Sequence, residues 1–233
     1  MAREAVAPLE QKGRMSEMRT KKSIRPALLF LAVFLLLAAP PAAFAVGPDD
    51  WNPFTDVSET DGFYDDVRYV YTNGLMDGVS DISFAPGQTL SRGMLVTILG
   101  RVEKIDPADY GVPSFDDTPA GAYDTPYITW AVQKGLVTGY SAKLFGPDDP
   151  VNREQLATIL GRYAEIFQSV EMSESANMAG YADIQEISSW SHVYLSWGRA
   201  TGVIQGRSIS HLGPKDEVTR AEVAASIRHI TET

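Results

Sequence analysis

The chain contains no cysteine and only three histidines in 233 residues. The first absence removes disulfides, thiolate metal sites and thiol nucleophiles. His192, His211 and His229 follow no metal-ligand spacing. Positive charge is also scarce, with 20 Lys and Arg against 30 Asp and Glu and a formal net charge of −10. No basic stretch is interleaved with aromatics, which excludes a nucleic-acid partner. Gly-x-Ser-x-Gly does not occur, nor does a calcium loop of alternating acids around a central Gly. Asp116-Asp117 and Asp148-Asp149 are adjacent acids of the kind that are solvated rather than catalytic. The expectation is therefore a protein that is not an enzyme and uses no cofactor or metal.

Long apolar runs are missing too. The longest, 27–39, has 13 residues, short of the roughly 20 that a membrane helix needs. It follows Arg19, Lys21, Lys22 and Arg25 and precedes Pro40-Pro41 and the small-residue site Ala43-Phe44-Ala45. This reads as a secretory signal over residues 1–45, with the true start at Met15 or Met18. Its removal takes away seven Lys/Arg and three Asp/Glu, leaving 13 and 27 and a net charge of −14. A short lead, 46–53, follows, and no membrane association is expected after cleavage.

What is present is a repeat. Gly-x3-Gly-x5-[Phe/Leu]-x-Pro-x5-Arg occurs as Gly74, Gly78, Phe84, Pro86, Arg92, then as Gly135, Gly139, Phe145, Pro147, Arg153, and again as Gly202, Gly206, Leu212, Pro214, Arg220. Every spacing agrees, so this is a true internal repeat. Each copy is preceded by an aromatic-x-Asp opening: Phe54-x-Asp56, Phe115-x-Asp117 and Tyr181-x-Asp183. The units are 54–103, 115–164 and 181–231.

Each unit predicts a helix–loop–helix. The first helix stops at the first Gly of the repeat, which suits a left-handed cap. The second starts at the Arg, behind the N-caps Ser91, Asn152 and Thr219. Thr219-Arg220-Ala221-Glu222 is a full capping box, with Thr219 and Glu222 in reciprocal roles. Positions +3, +6, +7 and +10 after each Arg are mostly apolar, a one-sided face that requires a neighbour. A 50-residue unit is marginal alone, so the three are expected to stack into one cooperative all-α domain.

At these residues the chain resembles the S-layer homology (SLH) family, whose repeat carries Phe-x-Asp, Gly-x3-Gly, Phe-x-Pro and the Thr-Arg-Ala-Glu signature seen at 219–222. Gly93 and Met94 replace Ala-Glu in the first unit, and Trp190 fills an aromatic position where the other units have Gly62 or Tyr123 nearby. The resemblance implies a pseudo-three-fold, spindle-like helical bundle with grooves between units. It implies a protein exported to the cell wall or S-layer of a bacterium and anchored non-covalently to secondary cell-wall polysaccharide linked to peptidoglycan, often pyruvylated. It leaves room for a cargo or envelope protein partner, and an envelope protein–protein adaptor is the alternative.

The chemistry of the residues points the same way. An Arg in the first turn of a helix sits beside free backbone N–H groups, a ready anion site, and grips a carboxylate bidentately. Arg92, Arg153 and Arg220 are the expected ligand arginines. Gly78, Gly139 and Gly206 would admit close approach of the ligand, and Trp130, Trp190 and Trp197 are candidate sugar platforms. Asp56, Asp117 and Asp183 are expected to brace their units. For the arginines the competing reading is a structural ion pair with an Asp of the next unit.

Overall fold

The second helix of each unit begins at its repeat arginine. The computed structural model describes residues 51–173 and 176–233, within the unit Val46–Thr233. The signal segment, the choice of start and the first residues of the lead lie outside the described residues. In chain order the helices are α1 (Tyr64–Thr72), α2 (Arg92–Val102), α3 (Thr125–Gln133), α4 (Arg153–Phe167), α5 (His192–Thr201) and α6 (Arg220–Glu232). Among the described residues there is no strand beyond isolated bridges, so the fold is all-α. The connector after α2 contains a 3-10 turn, Pro107–Tyr110, which Asp106 caps by accepting from the Ala108 N–H. None of the described helices is long and apolar enough to cross a membrane.

Capping sets both helix ends. Ser91, Asn152 and Thr219 each accept from the N–H three residues on, and the boxes Asn152/Gln155 and Thr219/Glu222 close reciprocally. Ser91 has Met94 opposite it and closes no box. At the other end, Gly74, Gly135 and Gly202 take φ of +68°, +78° and +87°. The Leu75 and Leu136 N–H groups reach back to the Val70 and Ala131 carbonyls at 2.8 and 2.9 Å, which completes the stop signal.

Helices pair across unit boundaries. α3 packs on α2, α5 on α4, and α1 on α6, so the third unit closes onto the first. In two of these pairs a glycine makes room for a tyrosine: a Cβ on Gly100 or Gly161 would strike the ring of Tyr127 or Tyr194. The equivalent positions in the closing pair are Arg228 and Asp66, an ion pair at 3.3 Å. The same ring order runs through the backbone. Val151 N–H donates to Leu90 O (2.9 Å), Leu90 N–H to Val218 O (3.1 Å) and Val218 N–H to Val151 O (2.9 Å). All three residues are fully buried, so one residue from each unit supplies a closed triangle of hydrogen bonds at the centre.

The second glycine of each repeat is a packing requirement. A Cβ on Gly78 would lie 2.5 Å from the Phe54 ring and 2.6 Å from Ser80 O. On Gly139 it would meet the Phe115 ring and, at 2.7 Å, Leu144 O. Gly206 is looser, with Ser208 O at 2.9 Å and the Tyr181 ring at 3.8 Å. At Gly78 and Gly139 the unit's own aromatic makes the close approach, and Gly78, Gly139 and Gly206 each also line one of three grooves beside the repeat arginines. Gly139→Ala should cost about 1–3 kcal/mol in urea unfolding, and Gly206→Ala less. The reverse order would contradict this packing account.

Three grooves at the unit junctions

Each repeat arginine reaches from the start of its helix into the loop of the following unit. Arg92 Nε donates to Phe145 O (3.1 Å) and its Nη2 to Thr138 O (2.9 Å). Arg153 makes the same pair of bonds to Leu212 O (2.7 Å) and Gln205 O. Arg220 donates to Phe84 O (2.8 Å) and Asp77 O (2.5 Å), closing the circle. Their exposures are 6, 5 and 6 %. The Arg92 and Arg220 guanidinium carbons lie 4.5 Å from the Phe145 and Phe84 ring centroids.

The first-turn N–H groups are also taken. Arg92 and Gly93 donate to Asp149 O and Pro147 O, Arg153 and Glu154 to Asp216 O and Pro214 O, and Arg220 and Ala221 to Gln88 O and Pro86 O. The expectation of a bare helix N-terminus offering backbone donors to an anion is therefore corrected. Those donors hold the next unit, because a buried N–H must find a partner and the loop carbonyls are the nearest.

The Asp that opens each unit works on the opposite face of the same peptide. Asp56 accepts from the Phe84 and Ala85 N–H groups, Asp117 from Phe145 and Gly146, and Asp183 from Leu212 and Gly213, at 2.7–3.1 Å. Arginine and aspartate are thus joined through one peptide group instead of meeting as an ion pair. Burial works against each Asp charge, but the hydrogen bonds outweigh it and hold all three carboxyls below their ordinary 3.8. A carboxyl lowered in the folded state stabilises the fold above its unfolded pKa and loses that contribution as pH falls through the folded one. Asp66 and Asp124, raised chiefly by burial, act in the opposite sense. The net expectation is loss of stability below about pH 4, read as Tm against pH. In Asp117→Asn this acid limb should be shallower, and an unchanged limb would remove the brace from the account.

Beside each arginine lies a groove, and the three differ in charge. The Arg92 groove has a cavity volume of about 310 Å³ and is lined by Tyr140 and Gln155 of the second unit and Trp190 of the third, with Arg162 nearby. Its charged lining residues, Arg92 and Arg162, are both cationic. Arg162 donates to Leu136 O, and its counterpart Arg101 does the same to Leu75 O but also pairs with Asp77 at 2.9 Å. Thr138 stands in the second unit where the first has Asp77, so Arg162 has no such acid. Among the described residues Arg92 Nη1 has no hydrogen-bond acceptor, and since none of their buried side-chain N or O atoms is unpaired, that nitrogen is solvent-accessible on a residue that lines the groove. Tyr140 covers the guanidinium at 4.7 Å.

The Arg153 groove is larger, about 560 Å³, and is lined by Asp66, Glu222 and Glu232 as well as Arg228. Glu222 lies 3.6 Å from Arg153 Nη1 and also pairs with Arg207. The Arg220 groove, about 340 Å³, presents Met94 and Tyr123 beside the Asp77–Arg101 pair. The third residue of the helix thus sets groove character: Gln155, Glu222 or Met94.

The expected aromatic platforms separate. Trp190 is 50 % exposed and stands in the Arg92 groove. Trp130, at 1 %, is core, 5.9 Å from Phe167. Trp197, at 6 %, lines a cavity with His229 and Ile230, away from all three arginines. Both are buried, and neither lines a groove beside a repeat arginine. Tyr140, Gln155 and Arg162 escaped the sequence reading. Their signal is positional: Gln155 and Arg162 follow the repeat Arg by two and nine residues. No group of acids and histidines among the described residues is placed to hold a metal.

Comparison with known proteins matches the S-layer homology domain at residues 53–93, 114–157 and 180–224, together over half of the chain. An endoglucanase of Bacillus sp. (strain KSM-635) is 25% identical over 202 residues, covering 86% of this chain and 21% of its own length. The surface-layer 125 kDa protein of Lysinibacillus sphaericus is 26% identical over 196 residues, 83% of this chain and 16% of that protein. An amylopullulanase of Thermoanaerobacterium thermosulfurigenes is 24% identical over 168 residues, 72% of this chain and 9% of that enzyme. The chain spans about a fifth or less of each of these relatives. With three matched repeats, the chain belongs to the S-layer homology domain family and is a cell-surface anchoring module.

Proposed function

We propose that the module anchors by binding a carboxylate-bearing wall polysaccharide, of the pyruvylated kind linked to peptidoglycan, in the Arg92 groove. One observation carries this reading: two arginines line that groove with no acid among its lining residues, beside a half-exposed Trp190. A pyruvate ketal brings one carboxylate on a sugar ring. Arg92 Nη1 and Arg162 supply charge-assisted donors for it, and Trp190 and Tyr140 supply apolar faces for the ring. Arg92 acts here by its outward nitrogen alone, the rest of its guanidinium being committed to the fold. The long-range field of an acidic chain opposes an anionic polymer, so the attraction is local. The relatives include enzymes and a surface-layer protein, which supports a module that serves varied cargo.

The test is co-sedimentation with purified walls before and after mild-acid removal of the ketal. Pelleting that is lost with the pyruvate supports the reading, and pelleting that survives its removal contradicts it. A second reading, a protein adaptor, is favoured by the Arg153 groove, where acids already occupy the cation. It expects no pelleting with either wall and a protein partner in cross-linking.

A further inference from the structure

We propose that Glu154, working with Lys215, is the positioning residue that holds Trp190 across the Arg92 groove. Trp190 is half exposed, yet the chain around it is pinned from both sides. Glu154 is 2 % exposed, and its carboxylate accepts from Ser188 N–H (2.9 Å), Ser188 Oγ (3.0 Å) and Ser191 Oγ (3.2 Å). Lys215 Nζ pairs with the same carboxylate and donates to Ser188 Oγ at 2.7 Å. Ser191 N–H returns to Ser188 O at 3.0 Å, and its single hydroxyl proton is shared between that carbonyl (2.9 Å) and the Glu154 carboxylate, so 188–191 forms a closed turn with Trp190 on it. An aromatic fixed before the ligand arrives loses less freedom on binding.

The other junctions lack this latch. Gly93 and Ala221 occupy the positions equivalent to Glu154, and Asp124 and Phe63 those equivalent to Ser191. At the first junction the carboxylate comes from the other side: a Cβ on Gly93 would strike Asp124 Oδ2. Glu154 and Asp124 thus place a buried acid at the same spot from opposite partners. The Glu154 carboxylate grips the Trp190 turn from across a unit boundary, whereas Asp124 lies within the turn that carries Tyr123. Glu154 does so from the first turn of α4, where an acid is favoured. The latch rests on the proposed sugar reading only for its purpose, not for its existence.

The test uses the full chain labelled with 5-fluorotryptophan. Its four tryptophans give four fluorine lines, and Trp190→Phe identifies the one of interest. In Glu154→Gln the Trp190 line should relax at least about two-fold more slowly, as the indole gains fast motion, while the other three stay put. Affinity for the methyl glycoside of a pyruvylated aminosugar should fall about three- to ten-fold. Lys215→Met, which leaves Glu154 in place, should move both readouts the same way by less, and stands in should Glu154→Gln fail to fold. A Trp190 line unchanged in the folded variants overturns the proposal, as does a loosened indole with unchanged affinity where the native chain binds the glycoside. A native chain that ignores the glycoside while Trp190 loosens in the variants supports the latch and overturns the sugar reading instead.

Discussion

Arg220→Ala should lower the stability of the domain by about 3–5 kcal/mol, before any ligand is considered. The substitution leaves the carbonyls of Phe84 and Asp77 without their donor and removes the cation packed on the Phe84 ring. Each buried acceptor left unpaired costs about 1–3 kcal/mol. Arg220→Lys should recover little, since one ammonium cannot span two carbonyls held by Nε and Nη2. Because Arg220 joins the third unit to the first, the loss should appear in one cooperative urea transition and not as release of a single unit. A cost under about 1 kcal/mol would contradict the staple. One consequence concerns wall binding. A repeat arginine changed to alanine should weaken wall binding through lost stability as well as any lost contact, so such variants do not by themselves test sugar recognition.

Exchanging the residue three places into the helix tests recognition with the fold kept. Gln155→Glu should weaken binding of a pyruvylated glycan about ten-fold, or about 1.4 kcal/mol, by placing in the Arg92 groove the acid that Glu222 places in the Arg153 groove. Glu222→Gln should do the reverse, since Glu222 lies 3.6 Å from Arg153 Nη1 and pairs with Arg207. Both residues close a capping box, and either Glu or Gln serves that role, so stability should change little. Titration calorimetry at fixed salt reads the difference. Equal affinities in both exchanges would mean that groove charge does not choose the anion.

Much of this architecture is legible in the residues themselves. Helix starts follow from Ser91, Asn152 and Thr219, whose side chains have few better uses than capping. The stops of α1, α3 and α5 follow from Gly74, Gly135 and Gly202, which take positive φ without steric cost, whereas α2 and α4 end just before Lys104 and Ser169, at φ +52° and +57°. The family follows from three copies of one spacing. What escapes is everything that depends on which unit faces which. A repeat arginine beside a helix N-terminus reads as an anion site until the next unit is seen to supply the carbonyls. Trp130 and Trp190 are both aromatic and both near helices, and only helix pairing sends one inward and the other into a groove. The difference between Asp77, Thr138 and Gln205 matters because of Arg101, Arg162 and His229, which lie one unit-helix away in sequence and adjacent in space. Sequence periodicity records each unit's own geometry, and the grooves are a property of pairs.

The most direct measurement is the set of indole N–H shifts of the 15N-labelled protein, titrated with a pyruvylated wall oligosaccharide and with the same glycan after loss of the ketal. The Trp190 signal should move with the first and not the second, while those of Trp51, Trp130 and Trp197 hold still. A titration in which Trp190 stays fixed while the glycan binds elsewhere, or in which the ketal makes no difference, would contradict the Arg92 groove as the site of anchoring.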